Sequence, residues 1–236
     1  MHGVPVHCLV FTVYALAMLI DLSHTIEHGM TTYPGLPGPV ICDYLSREES
    51  RKRYAAGVEF QIGKVEMVAN TGTYLDSPFH RYADGKDLSA LPLEWMAGLE
   101  AVVVRVPPGA PRAIGWSAFR GLSLRERAVL VHTGWDRHWR TEGYGGPNPF
   151  LTAEACDGLR AAGVRLVGID SVNIDDLENW ARPAHSILLG GEIPIVEHLC
   201  NLAAVPDEGG RFSAVPPKVA GFGTFPVRAF LQTTTA

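Results

Sequence analysis

Three short apolar runs limit the architecture this chain can adopt: Ala101 to Val106, Ala128 to His132 and Val164 to Ile169. Each is rich in valine or isoleucine, of strand length, and bounded by turn-forming residues, so each reads as a strand. The first continues into Pro107-Pro108-Gly109, which must end it because proline cannot donate to a sheet ladder. Seventeen prolines and 25 glycines are spread through 236 residues with no repeat and no low-complexity linker, which implies many short strands joined by turns. Helices fall between the strands. Thr152 is a candidate N-cap ahead of Cys156, Leu159 and Ala162 on one face, with Gly163 as the stop. Shorter helices are expected over Pro92 to Ala97 and over Pro194 to Leu202. The charged stretch Asp43 to Tyr54 reads as a solvated helix or a mobile loop. Strands interleaved with helices give an α/β or α+β domain, and the length suits one large core rather than two.

Composition narrows the function. With 47% hydrophobic and 19% charged residues the chain is globular, and a net charge of −5 with no basic stretch argues against nucleic-acid binding. A small-molecule substrate fits better. Cys8, Cys42, Cys156 and Cys200 are scattered, which argues against a thiolate zinc site and a disulfide scaffold and for reduced, mostly buried thiols in a cytoplasmic protein. The apolar run Cys8 to Ile20 is too short to span a bilayer. It contains Ala15-Leu16-Ala17, which resembles a signal-peptidase site, but no Lys or Arg precedes it. Met18 opens a phrase that reads as a first strand. The expected organisation is therefore an N-terminal extension over 1–17, an over-extended start or else an export signal, followed by one domain over 18–236.

Candidate chemistry is concentrated in two segments. In the first, Asn70 to His80, strand periodicity turns Tyr74 and Asp76 the same way, and Pro78 forces a bend that swings His80 back toward them. Asp76 is a hard oxygen ligand and His80 a nitrogen base; alternatively Asp76 caps a turn and His80 is a surface histidine. The second runs from His185 to Glu197. Glu197 stands among Ile193, Ile195, Val196 and Leu199, where a carboxylate needs a cation or a donor, unless it projects outward from an amphipathic helix. Asp170, after a buried strand, is a supporting partner for the site or a turn cap. Trp135, with His132, His138 and Trp139, belongs to a loop that lines a substrate pocket or simply packs. His24 and His28 read as surface or interface residues.

The segment Asn70-Thr-Gly-Thr-Tyr-Leu-Asp-Ser-Pro-Phe-His80 resembles the signature His-x-Gly-Thr-His-x-Asp-x-Pro-x-His of the cyclase family, which includes bacterial kynurenine formamidase and isatin hydrolase. The resemblance extends over nearly the whole chain from Met18. It includes Asp21-Leu22-Ser23 with Tyr33-Pro34-Gly35, Leu130 to Trp135, Gly168 to Ser171 with Ile174-Asp175, and His185 and Glu197 at the spacing of two late ligands, followed by Asn201-Leu202. It implies a three-layer β/β/α swivelling-type domain with a mixed sheet, assembled as a homodimer or homotetramer. It also implies metal ligation by Asp76, His185 and Glu197, proton transfer by His80, and a substrate contact from Tyr33. The first two signature histidines are Asn70 and Tyr74 here, an amide and a phenol with an ordinary pKa near ~10, both poor ligands. One divalent ion (Zn, Mn or Fe) is expected, with the second metal position lost.

The function implied is a metal-dependent hydrolase that opens a small amide, lactam, lactone or ester with metal-activated water. His80 acts as acid/base, Tyr74 donates to the oxyanion, and Asn70, Tyr33 and Trp135 touch substrate. Two other functions fit the residues: a metal-independent lyase, isomerase or cyclase run by Asp76, His80 and Tyr74, and a binding protein on a decayed site.

Overall fold

Valine-rich segments pair in parallel at the centre of one large sheet. The structure, a computed structural model, describes residues 17–233. In chain order its strands are β1 (Leu19–Asp21), β2 (Val40–Leu45), β3 (Ile62–Glu66), β4 (Tyr74–Asp76), β5 (Leu99–Arg105), β6 (Ala113–Ile114), β7 (Ala128–His132), β8 (Phe150–Leu151), β9 (Leu166–Ile169), β10 (Ile195–Glu197), β11 (Gly210–Ser213), β12 (Thr224–Pro226) and β13 (Phe230–Thr233). The α-helices are α1 (Arg47–Arg51), α2 (Ala153–Ala161) and α3 (Pro183–Gly190). Nine strands form a mixed sheet in the order β1-β13-β11-β5-β7-β9-β10-β4-β12. Its centre, β5-β7-β9-β10, is parallel, and the flanking pairs are antiparallel.

The centre is apolar on both faces, which is why its strands read as continuous hydrophobic runs rather than alternating ones. Alternate side chains sort into two cores. Ala101, Val103, Ala128, Leu130 and Leu166 enter one, closed by residues of the outer strands and loops such as Phe212, Leu231, Met96 and Leu202. Val102, Val104, Val129, Val131 and Ile169 enter the other, closed by α2 and α3 through Leu159 and Leu188. This is the α/β class expected, with a curled mixed sheet of many short strands and few helices.

Local signals were kept in several places. Thr152 caps α2, its hydroxyl accepting from Ala155 N at 3.2 Å, and Gly163 ends the turn at φ 74°. Two expected helices are different. Pro92 to Ala97 contains only a 3-10 turn, Leu93–Trp95. Ile195–Glu197 is a strand, because its backbone is claimed by β9 on one side and β4 on the other, and a 3-10 turn follows only at Leu202–Ala204. The stretch Asp43 to Tyr54 begins inside β2 and continues as α1, capped by Ser46. Cys156 and Cys200 are buried and Cys42 exposed, all as free thiols, while Cys8 and the expected extension up to residue 16 lie outside the described residues. Among the described residues, strands β2 and β3 pair only with each other and leave Val40, Ile41, Tyr44, Ile62 and Val65 exposed. Among the described residues no helix is long and apolar enough to cross a membrane.

Candidate active site

Sheet register assembles the first half of the site. Strand β4 lies between β10 and β12, with Tyr74 opposite Glu197 and Asp76 opposite Thr224. Directly opposed residues of an antiparallel pair share a face, and so do residues two apart on one strand. Tyr74, Asp76, Glu197 and Thr224 therefore converge, all of them buried. After β4 the turn Pro78–His80 folds His80 back over Asp76, with Nδ1 3.8 Å from Oδ1. Gly223 permits this return: a Cβ there would stand 2.5 Å from the His80 backbone. Helix α3 supplies His185, whose Nε2 lies 3.7 Å from Asp76 Oδ2 and 3.8 Å from Glu197 Oε1.

Asp175 sets the direction of that imidazole. Its carboxylate accepts from Ala184 N and His185 N at the start of α3 and meets His185 Nδ1 at 2.7 Å. A proton on Nδ1 directed at Asp175 leaves Nε2 facing Asp76 and Glu197, the arrangement by which a carboxylate orients a metal-binding histidine. Three buried carboxylates thus surround one imidazole. Burial alone would lower the His185 pKa, but the bond to Asp175 and the nearby carboxylates of Asp76 and Glu197 carry it up to about 10. Burial pushes Glu197 up to about 7 against the pull of His185. Burial also pushes Asp76 upward, yet His80 and His185 hold it below the usual carboxylate range. The site therefore calls for positive charge. Asp76 Oδ2 makes this concrete: it is buried and has no hydrogen-bond partner. Such an oxygen is costly unless a cation meets it. Ligand atoms of Asp76, His80 and His185 all lie within 4.8 Å of one another, a group that fits a divalent ion bound by oxygen and nitrogen. Glu197 stands beside this group with Oε1 already accepting from Ile174 N at 2.6 Å, although a carboxylate oxygen keeps a second lone pair.

Two hydrogen-bond chains fix the protons. Thr224 donates its hydroxyl proton to Asp76 Oδ1, so it accepts from His80 Nδ1, 2.8 Å away. In the neutral ring this places the His80 proton on Nδ1 and leaves Nε2 free to accept. In the second chain Tyr144 donates to His198 Nδ1 at 2.7 Å, His198 Nε2 donates to the Tyr74 hydroxyl at 3.2 Å, and Tyr74 donates to Glu197 Oε2 at 2.7 Å. This order requires a neutral His198, and burial holds its pKa down to about 3. Burial, then the Glu197 charge, keeps the Tyr74 phenol protonated, well above its ordinary value.

Of these groups Tyr74, His80, His185 and Glu197 border a cavity of about 350 Å³, whose wall also includes Tyr33, Asn70, Asn173, Trp180 and Arg182. Of the residues singled out in sequence, Tyr33, Asn70, Tyr74, Asp76, His80, His185 and Glu197 are brought together. Trp135 and Asp170 are not. Trp135 donates Nε1 to Tyr144 O at 3.0 Å, and Asp170 accepts from Thr133 and Gly134, which is turn capping. His24 is half-buried rather than superficial, stacked on Trp139 at 3.9 Å. Asp175, Thr224, Tyr144, His198 and Arg182 carried no role in the sequence reading. Asp175 lies in a segment noted in the sequence, Ile174-Asp175, and His198 in the expected helix Pro194 to Leu202.

Residues 20–176 match the family model described as "Putative cyclase". A kynurenine formamidase of Bacillus cytotoxicus is 30% identical over 220 residues, covering 90% of this chain and 96% of its own length. One from Maricaulis maris is 26% identical over 225 residues, covering 92% and 99%. Among solved structures, isatin hydrolase A from Labrenzia aggregata shares the fold with a TM-score of 0.77 at 21% identity, over 92% of this chain and 94% of that one. The family model spans more than half of the chain and the Bacillus relative spans nine-tenths of it, so the protein belongs to the cyclase family.

Proposed function

We propose that this protein is a metal-dependent hydrolase that opens the C–N bond of a small linear or cyclic amide, or the C–O bond of a related ester or lactone. The single observation that carries the reading is the orphaned Asp76 Oδ2 facing His185 Nε2 at 3.7 Å beside an open cavity. Relatives named kynurenine formamidase and a fold shared with isatin hydrolase support the same bond class. Asp76, His185 and Glu197 would hold one divalent ion, Zn, Mn or Fe, which supplies polarisation of the carbonyl and acidification of water. Asn70 and Tyr74, standing where the signature has histidines, support loss of a second metal position.

The chain's own groups handle the protons. His80 Nε2, bare and at the cavity, takes a proton from the attacking water and returns it to the leaving nitrogen or oxygen, a role worth ~10²–10⁴ in rate. Thr224 keeps the ring turned so that this nitrogen faces the substrate. Tyr74 is spent differently from the sequence expectation: its one proton goes to Glu197, so it positions that carboxylate instead of stabilising an oxyanion. The Asn70 amide, at the cavity wall and beside the Tyr74 hydroxyl, is a neutral donor with a second N–H for a developing negative oxygen.

Asp76→Ala tests the reading. Wild-type protein should purify with a divalent ion and hydrolyse members of a panel of formamides, lactams and lactones. The variant should lose both the metal, by elemental analysis, and turnover. Undiminished turnover in strong chelator, on protein that carries no metal, would overturn the mechanism in favour of metal-independent lyase or isomerase chemistry. The apolar residues exposed on the β2–β3 hairpin, a two-stranded sheet marginal by itself, support assembly into a homodimer or homotetramer, which light scattering reads directly.

A further inference from the structure

Four arginines among the described residues are half-buried: Arg112, Arg127, Arg165 and Arg182. Three face carboxylates. Arg112 meets Asp176 at 3.6 Å, Arg127 meets Glu100 at 3.5 Å, and Arg165 pairs with Glu126. Arg182 has no carboxylate at ion-pair distance among the described residues. Its guanidinium contacts are neutral and long: the Tyr33 hydroxyl at 3.2 Å, Asp176 O at 3.3 Å and Asn173 Oδ1 at 3.4 Å. A guanidinium offers five N–H donors in a planar fork, more than these three contacts use, and Arg182 lines the cavity. A charge partly withdrawn from water is unfavourable, and among the described residues only long, neutral hydrogen bonds offset this one.

The backbone repeats the point. Arg182 sits in the left-handed region, φ 46° and ψ 58°, as the residue that opens α3. Residues with a Cβ are strained there, and strain held at the edge of a cavity is a mark of function. The third residue of α3 is His185, so the guanidinium and the imidazole are carried by one rigid element. Two residues before Arg182, Trp180 is 88% exposed and lines the same cavity, as do Tyr33 and Leu36. Arg81, another lining residue, has no carboxylate at ion-pair distance among the described residues and contacts Ser186 Oγ at 3.3 Å.

We infer that Arg182 is a specificity-determining residue that anchors a carboxylate on the substrate, whose flat apolar body rests against Trp180 and Tyr33. A guanidinium fork matches a carboxylate with two parallel hydrogen bonds. The same contact solves an orientation problem. An anionic substrate would be repelled by Asp76, Glu197 and Asp175, or would offer its carboxylate to the ion in place of the bond to be cleaved. Arg182 holds that group at the mouth and turns the scissile group inward. The inference rests on the hydrolase reading for the bond that is cleaved, but not for the anion subsite itself.

Formanilide and N-formylanthranilate carry the same formamide and differ by one ring carboxylate. With enzyme reconstituted with manganese or zinc, wild type should favour N-formylanthranilate in kcat/KM. Arg182→Gln should lower that value by roughly 10- to 100-fold, mainly through KM, and change formanilide by less than about two-fold. Arg182→Lys, which keeps the charge and loses the fork, should fall between them, and it carries the comparison if circular dichroism shows the Gln variant misfolded. Equal losses on both substrates, or no wild-type preference, would overturn the anchor. Benzoate and benzamide titrated into the metal-free protein by calorimetry separate the two readings. Benzoate that binds wild type and is weakened about 10-fold or more in the variant sustains the anchor even if neither formamide is turned over, a result that counts against the amide-hydrolase reading alone. Benzoate that binds no tighter than benzamide, or equally to wild type and variant, sinks the anchor whatever the turnover.

Discussion

Asp175 decides which nitrogen of His185 is available, and it does so while capping α3, so one carboxylate serves both fold and site. Asp175→Asn keeps an acceptor for Nδ1 but removes the charge. Metal affinity is expected to fall 10- to 100-fold, read by competition with a chromophoric chelator, with the far-ultraviolet spectrum unchanged. Tyr74→Phe is a test of the second proton chain. It strands the Nε2 proton of His198 and one oxygen of Glu197, both buried, and should destabilise the protein by about 1–3 kcal/mol per stranded group in urea melts. At this scale the site was legible only in part. Asp76, His80, His185 and Glu197 are visible because carboxylates and imidazoles in apolar surroundings, at family spacing, are chemically conspicuous. Thr224 and Tyr144 are not. They reach Asp76 and His198 across 148 and 54 residues, and a lone hydroxyl has neither a periodicity nor an unusual neighbourhood to give it away.

Strand β4 is the element on which the site depends. A shift of one residue in its pairing would turn Tyr74 and Asp76 to the opposite face and leave Leu75 among the polar groups. Gly223, leading into β12, keeps that strand and the His80 turn in contact. Gly223→Ala should force them apart, lowering kcat more than it raises KM while melting temperature falls by a few degrees, since His80 and Thr224 move together. The central strands were readable because burial on both faces makes them continuously apolar. β10 was misread as helix for a related reason: a short apolar run has no period, and only its two neighbours decide the matter. Helix α3 went unassigned, since Arg182 provides no capping side chain and the cap comes from Asp175, upstream.

Across the whole molecule, burial of His24 contributes to the loss of stability in acid. His24 is held down at about 4, by burial against the opposing charge of Asp136. Between about 6.5 and 4 the unfolded chain binds a proton at this histidine that the folded chain refuses. Stability from this group is therefore complete above 6.5 and is lost as the pH falls toward 4, by up to about 1.4 kcal/mol per unit. Comparing wild type with His24→Gln in chemical denaturation cancels the other titrating groups. The variant should gain on wild type steadily from pH 6.5 to 4, and parallel profiles would show that His24 is not the group responsible.

The two parts of the cavity are built from different material. Tyr74, Asp76, Glu197 and Thr224 are fastened into paired strands, and His80 is tied to them by the turn that follows β4, so movement there disturbs several hydrogen bonds at once. Trp180 and Arg182 stand on the connecting chain of residues 176–182, which the sheet does not constrain. Bond-breaking and selectivity can consequently diverge on separate schedules: exchanging that short connector would redirect the catalyst to another class of compound while its reaction stays the same.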